Sequence, residues 1–345
     1  MSAETTEFRP VYHPAGLDAE LRVAFEEVRV GRWRAMRELL ARTGTQWDLR
    51  TARSQVLATA AARTHVVAEW VVEEPGSPDA LMMQARVAVE RALQAHRQGH
   101  GSAEDLAGQA RKSAAVAWNA APADPVPWVC MLALAGTDPE QIVPEHRVKP
   151  PEGFLPTGPW GLLGRVYERD PYNREAYHRM LTFVLRSQMG GGPAAAVNFA
   201  HWVKSWVPQD SGSPLLVLPL YALVEHYRSK REAGRYDPIG RAQWAREQVA
   251  FDVQRAMVGW FERSRIEPRS VLDLNYLAHA AWAGRRFAEA AAVFQAMGPY
   301  ATRQPWLSVA DDPGDEASAD REFSKARRQC LSVAGESRAG PRPRR

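Results

Sequence analysis

The sequence predicts an all-α protein, and three observations carry that prediction. Apolar residues recur at three- and four-residue spacings along almost the whole chain, which is the period of one helix face. Alternating β-branched runs, which indicate strands, are nearly absent. Breaks rich in glycine and proline divide the chain into segments of ordinary helix length, many with Ser, Asp or Asn at the N-cap position. The spacing of these breaks predicts about 12 to 15 helices.

The order of the elements follows from those breaks. Residues 1–16 form an N-terminal arm, with acidic residues and a proline where a signal peptide would have a basic and then an apolar segment. An N-terminal helical half at 17–135 is followed by a connection at 136–161 that contains six prolines. A C-terminal helical half covers 162–331, and a basic tail at 332–345, rich in Gly, Pro and Arg, is expected to be disordered.

The proline-rich connection has two interpretations. A stretch of this length without helical periodicity is often functional or a linker. Its prolines favour a stiffened crossover that covers a helical face. A binding loop is the alternative.

Composition limits the classes of partner. Of the 345 residues 45% are hydrophobic, but the apolar runs fall short of the roughly 18 residues that a membrane-spanning helix needs. The formal net charge is +4, and four arginines and one glutamate beyond residue 333 supply +3 of it, so the rest of the chain does not indicate nucleic-acid binding. Cys130 and Cys330 are the only cysteines, which excludes a disulfide framework. We expect a cytoplasmic protein without a membrane segment; a nucleic-acid contact through the arginine tail is an alternative.

A helical hairpin at residues 277–298 carries a repeat signature. A helix-turn-helix repeat needs small residues where its helices touch, a glycine at the turn, and an aromatic residue after the turn. The hairpin supplies these types in that order: Ala278, Ala281, Gly284, Phe287, Ala290 and Phe294. It resembles the tetratricopeptide repeat, with one departure, since Arg285 and Arg286 both lie between the glycine and the aromatic residue. Segments 25–40 and 170–202 resemble the same repeat less closely.

A wider resemblance covers Gly31–Tyr227. This part of the chain is similar to a bacterial domain family of unknown function that is built from tetratricopeptide-like helix pairs. Trp70, Ser77 and Ala80 match the family's tryptophan and P-x-S-x-x-A element, whereas the glycine-rich turn at 189–193 lacks the family's tryptophan. The resemblance implies an irregular right-handed α-solenoid of antiparallel helix pairs, and it implies no activity.

The sequence contains no motif for a metal, a cofactor or catalysis, and we predict none of these. Four helical histidines lack an HExxH pattern and are interpreted as packed residues: His178, His201, His226 and His279. His96 and His100 are four residues apart, but Gly99 breaks the helix between them. The acidic run at 311–316 has the letters of the metal-diphosphate motif of terpene synthases, and we interpret it instead as the acidic start of a helix. The turn at 189–193 lacks the strand and the GK[ST] ending of a phosphate-binding loop.

Tryptophans beside basic residues supply the candidate binding site. Aromatic and arginine side chains on the inner face of a solenoid have the composition of a peptide-binding hot spot. Six residues form the candidate groove: Trp202, Trp206, His279, Trp282, Arg285 and Arg286. Packing in the core is the alternative for each tryptophan. We expect a non-enzymatic adaptor that binds a peptide or protein partner on a concave helical surface. The alternative is an all-α enzyme with a pocket near His178, His201 and His226.

Overall fold

The protein is all-helical, as the sequence predicts. The computed structural model describes residues 8–234, 243–266, 269–310, 312 and 314–339, with 334–339 described as backbone. These residues form 16 α-helices and no strand, apart from two isolated bridges. Within this part of the chain, no helix combines the length and the apolar character needed to cross a membrane.

The chain divides into two compact units. The N-terminal unit is Asp18–Val203, and the C-terminal unit combines the described residues of Met1–Leu17 with those of Lys204–Arg345. The described residues of the predicted arm, 8–16, therefore belong to the C-terminal unit. The predicted connection at 136–161 lies inside the N-terminal unit.

Ten helices begin in the N-terminal unit, and the last of them contains the boundary. They are α1 (Ala19–Arg29), α2 (Arg34–Thr43), α3 (Trp47–Ala61), α4 (Val66–Glu73), α5 (Pro78–Arg97), α6 (Ala103–Ala120), α7 (Val126–Ala135), α8 (Trp160–Tyr167), α9 (Arg174–Arg186) and α10 (Pro193–Trp206). Their N-caps are of the expected types, since Asp18, Ser77 and Asn173 each accept a backbone amide in the first turn of α1, α5 and α9. Local sequence thus fixes where several helices begin.

Paired charges lie inside the N-terminal unit. The guanidinium of Arg50 on α3 lies 2.6 Å from the Asp79 carboxylate and 2.8 Å from that of Asp124. Arg86 on α5 pairs with Glu175 on α9 at 2.8 Å, and both side chains are buried. An unpaired buried charge is costly, so these pairs favour one arrangement of α3, α5 and α9.

The proline-rich connection is held by buried polar side chains. Gln141 has a left-handed φ of 55° and is fully buried. Its Nε2 donates to Ser187 Oγ at 2.8 Å and to the Thr157 carbonyl at 3.2 Å. Nδ1 of the buried His146 lies 2.8 Å from the Asp138 carboxylate. These contacts make the connection an ordered part of the unit.

The glycine-rich turn at 189–193 closes the end of α9. Gly190 and Gly192 have φ values of 78° and 115°, which favour glycine. A Cβ on Gly191 would overlap the carbonyl oxygen of Val184, and the Gly192 amide donates to that same oxygen at 2.8 Å. The glycines therefore serve the backbone geometry of the turn.

The C-terminal unit contains the hairpin that carried the repeat signature. Its helices are α11 (Leu218–Glu232), α12 (Glu247–Ala256), α13 (Val271–Ala283), α14 (Phe287–Met297), α15 (Trp306–Val309) and α16 (Glu316–Ala339), and a π-helical turn, Met257–Phe261, continues α12. Helices α13 and α14 pack on each other, with Ala278, Ala281 and Phe294 buried. The small residues thus lie in the packed interior of the hairpin.

The end of the chain is helical as far as it is described. Helix α16 runs through Ala339, so the first part of the predicted tail continues this helix, and 340–345 lie outside the described residues. Asp311 and Pro313 of the acidic run also lie outside them. Asp315 accepts the amide of Ala317 at 3.0 Å and so caps the first turn of α16.

Candidate functional site

Trp202, in the predicted groove set, packs among other aromatic rings of the N-terminal unit. Its ring meets Trp160 edge-on, with centroids 5.7 Å apart and an interplanar angle of 89°. It also lies against the fully buried Phe199 at 6.0 Å. Trp202 itself is half-buried. Part of its surface therefore belongs to the packing of α8 against α10.

Two further members of the set lie at the centre of the C-terminal unit. His279 is buried, with the ring edges of Trp244 and Trp306 at centroid distances of 4.8 and 5.2 Å. Burial lowers the pKa of His279 to about 3, so its imidazole is neutral at physiological pH. Trp282 is half-buried 6.1 Å from His279, and its Nε1 donates to Gln329 Oε1 at 2.9 Å. His279 is thus enclosed by rings, whereas Trp282 reaches the surface.

Two adjacent arginines in the turn between α13 and α14 differ in their exposure and contacts. Arg285 is exposed and has a left-handed φ of 60°. Arg286 is half-buried; it pairs with Glu289, contacts Gln254, and donates to the Ala250 carbonyl at 3.1 Å. Arg286 therefore ties the start of α14 to α12. Trp206, the remaining member of the set, is half-buried in the last turn of α10.

The helical histidines are divided between the two units. His178 and His201 belong to the N-terminal unit, and His226 and His279 belong to the C-terminal unit. Burial lowers the pKa of His226, and the charge of Lys230 adds to that effect. Among the described residues, no group of three or more His, Cys, Asp or Glu side chains could hold a metal ion.

A surface that the sequence did not single out combines two tryptophans with two arginines in the N-terminal unit. We call Trp118, Trp128, Arg165 and Arg169 the tryptophan–arginine surface. Trp118 lies in the last turn of α6 and Trp128 in the first turn of α7. Their ring centroids are 4.4 Å apart and the rings are tilted by 44°. Trp118 is 39% exposed and Trp128 only 8%, so Trp128 forms a fixed base beneath an accessible ring.

The loop between α6 and α7 places the two tryptophans together. Asp124 accepts the amide of Val126, the first residue of α7, at 2.8 Å. The same carboxylate is paired with the buried Arg50. Pro125 and Pro127 lie at the start of α7, where a missing N–H costs nothing. The position of Trp128 is therefore fixed by the charged interior of the unit.

Arg165 and Arg169 cover the face of Trp128. Their guanidinium carbons lie 5.8 and 5.5 Å from its ring centroid, within the range of a cation–π contact. Arg169 donates to the carbonyls of Pro122 and Arg165, both at 2.7 Å, and is mostly buried. Arg165 is 57% exposed, and Glu168 lies 3.5 Å from its guanidinium. One arginine is thus fixed in place, and the other offers its charge to solvent.

This arrangement can bind an apolar or aromatic side chain and an acceptor group side by side. The accessible ring of Trp118 offers apolar area, and Arg165 offers hydrogen-bond donors and positive charge. At the base of this surface, the buried Nε1 of Trp128 has no hydrogen-bond acceptor among the described residues. Little in the sequence indicated this surface, because Arg165 and Arg169 lie 37 and 41 positions after Trp128, beyond the proline-rich connection.

Comparison with known proteins gives no family or neighbour from which a role could be transferred. No protein-family model, no curated protein and no solved structure matches this chain.

Proposed function

We propose that the chain is a protein-interaction module that binds a peptide or protein partner, with the tryptophan–arginine surface as part of the binding face. The observation that carries the proposal is the accessible Trp118 ring packed at a tilt against a fixed Trp128, beside the exposed guanidinium of Arg165. Tryptophan and arginine are the residues most enriched at interface hot spots.

The geometry favours binding for two physical reasons. Trp118 exposes apolar ring area to water, and covering that area is favourable. Arg169 and Trp128 are already held by neighbouring groups, so little conformational freedom is lost when a partner binds. A partner that pairs an apolar anchor with an acidic or carbonyl group fits this surface.

We also propose that each unit is built as a right-handed, tetratricopeptide-like solenoid with the partner on its concave face. The packing of consecutive helices on each other, as in α1 with α2, α5 with α6 and α13 with α14, supports this arrangement. We further propose a cytoplasmic location, supported by the free and buried thiols of Cys130 and Cys330.

A peptide-display selection against the purified chain tests the function. Trp118→Ala should weaken the selected peptides by roughly 30-fold, which corresponds to about 2 kcal/mol for a hot-spot residue. Arg165→Glu should weaken them by roughly tenfold, and more at low salt. Affinities measured by fluorescence anisotropy give both numbers.

Two control variants show whether a loss of affinity is specific to the tryptophan–arginine surface. Phe154→Ala removes another exposed aromatic ring of the same unit, and Arg32→Glu reverses an exposed arginine that also has one glutamate neighbour. Both should leave the affinity unchanged. Peptides that bind the Trp118→Ala and Arg165→Glu variants as tightly as the unmodified chain would refute this binding face. Loss of binding in Trp282→Ala and Arg285→Ala would instead assign it to the groove predicted from the sequence.

A further inference from the structure

The N-terminal arm binds the C-terminal unit in the manner of a peptide ligand. Its described residues, 8–17, contain no helix. The Val11 amide donates to the Pro299 carbonyl at 2.8 Å, and the Ala301 amide donates to the Val11 carbonyl at 3.0 Å. The arm therefore pairs its backbone with the segment that follows α14, as an added strand does.

Two aromatic side chains anchor the arm. The Phe8 ring stacks on Phe323 with centroids 6.1 Å apart, and the guanidinium carbon of Arg327 lies 4.0 Å from the Phe8 centroid. The Tyr12 hydroxyl donates to the Asp320 carboxylate. The guanidinium carbon of Arg303 lies 4.7 Å from the Tyr12 centroid. We call these four partners of the arm, Phe323, Arg327, Asp320 and Arg303, the arm groove.

The arm groove has a buried base, Phe323, and its polar side chains lie at the surface of the unit. Phe323 is 1% exposed and packs edge-on against Phe294 at 5.6 Å and against Trp306 at 5.5 Å. Arg303 is held by Glu316 at 2.7 Å. Phe323 is thus held by rings of α14 and α15, and Arg303 by a carboxylate of α16.

The arm itself has the pattern of a short recognition motif. Phe8 and Tyr12 are half-buried, whereas Arg9, Val11 and Pro14 are exposed. Affinity in such a pairing comes from the shared backbone hydrogen bonds, and specificity comes from the side chains that fit pockets. Here the specifying residues are the aromatic pair at positions i and i+4.

We propose that the arm groove is a peptide-recognition site for extended segments with a phenylalanine and, four residues later, a tyrosine, and that the chain's own arm is its internal ligand. This site goes beyond the proposed function, because it lies in the other unit and uses none of the residues of the tryptophan–arginine surface. The arm competes with a segment in trans as a tethered ligand, so it lowers the apparent affinity of that segment.

The first test uses a variant with a weakened arm, Phe8→Ala/Tyr12→Ala, and a fluorescent peptide of residues 8–17, FRPVYHPAGL. The peptide should bind this variant saturably. It should bind the unmodified chain at least about tenfold more weakly, because the tethered arm occupies the groove. Replacing the peptide's phenylalanine or tyrosine with alanine should lower its affinity by at least about tenfold. Replacing its arginine, which is exposed as Arg9 in the chain, should change nothing.

Substitutions in the arm groove can be compared with a substitution at a neighbouring exposed residue. Adding Asp320→Ala or Arg303→Ala to the weakened-arm variant should reduce peptide binding. Adding Arg321→Ala, which alters an exposed neighbour on α16, should not. A folded weakened-arm variant that does not bind the peptide, or binding that survives Asp320→Ala, would overturn the proposal.

Hydrogen exchange on the unmodified chain tests the same site without any substitution. Excess unlabelled peptide should speed exchange of the Val11 amide, because the tethered arm is displaced. The Ala301 amide should stay protected, since the incoming peptide supplies the carbonyl that Val11 supplied. Unchanged Val11 exchange at saturating peptide, or deprotection of both amides together, would also overturn the proposal.

Discussion

Two buried sites, one in each unit, differ in their chemistry: the ion-paired arginines of the N-terminal unit and the ring-enclosed His279 of the C-terminal unit. In the N-terminal unit, the buried Arg50 and Arg86 are neutralised by carboxylates from other parts of the unit. In the C-terminal unit, α13 buries a neutral His279 between Trp244 and Trp306. The buried ion pairs require every partner to be present, whereas the rings around His279 offer no counter-charge to a protonated imidazole. The first should therefore be sensitive to the loss of a carboxylate, and the second to the gain of a proton.

The largest effect is expected from Glu175→Leu. Although burial opposes it, the charges of Arg86 and Arg179 hold the pKa of Glu175 below its ordinary value, so the residue is an anion in the folded protein. Its removal leaves Arg86 buried without a counter-charge, and we expect a loss of about 3–5 kcal/mol in the free energy of unfolding. Urea denaturation followed by circular dichroism measures this loss.

Two comparisons show whether charge is the cause. Glu26→Leu removes a glutamate from an exposed pair with Arg29 and should cost less than about 1 kcal/mol. Combining Glu175→Leu with Arg86→Met should restore most of the lost stability, because no unpaired charge then remains buried. A double variant as unstable as Glu175→Leu would attribute the loss to packing instead.

The second effect is acid sensitivity of the C-terminal unit through His279. Its folded pKa, about 3, lies below the ordinary value of 6.5, so below pH 6.5 the unfolded chain takes up a proton that the folded chain does not. Stability should fall with decreasing pH by up to about 1.4 kcal/mol per unit, or by about 1.6 kcal/mol in total between pH 6.5 and 5. The slope should be smaller in His279→Leu and unchanged in the exposed His100→Leu. Parallel stability curves for His279→Leu and the unmodified chain would contradict this origin.

Local sequence patterns predicted the helices. Contacts between residues that are far apart in the sequence could not be predicted from such patterns. The three- and four-residue periodicity around the turn glycine Gly284 placed α13 and α14, because hairpin packing is decided within some twenty neighbouring residues. Arg50 and Arg86 resemble surface charges in the sequence, since their partners Asp124 and Glu175 are 74 and 89 positions away. Periodicity carries no information about such pairs.

The two candidate surfaces could not be predicted either, because each joins residues from separate parts of the sequence. Trp118 was recognisable as a helical tryptophan, but its exposure depends on how α6 ends beside α7. The arm groove joins Tyr12 to Asp320, which are 308 positions apart. Residue types that can recognise a partner are visible in a sequence, whereas their assembly into one surface is a property of the fold.

The smallest expected change in stability is at the turn between α13 and α14 in the C-terminal unit, where it separates the roles of the adjacent Arg285 and Arg286. Arg286→Ala should lower the free energy of unfolding by about 1–2 kcal/mol, because it removes hydrogen bonds to Glu289 and to the Ala250 carbonyl. Arg285→Ala, at an exposed position whose left-handed backbone is retained, should change it by less than about 0.5 kcal/mol. Thermal denaturation of the two variants measures the difference. Equal losses would mean that both arginines serve the fold, and a loss confined to Arg286→Ala would leave Arg285 as the residue of this turn that can meet a partner.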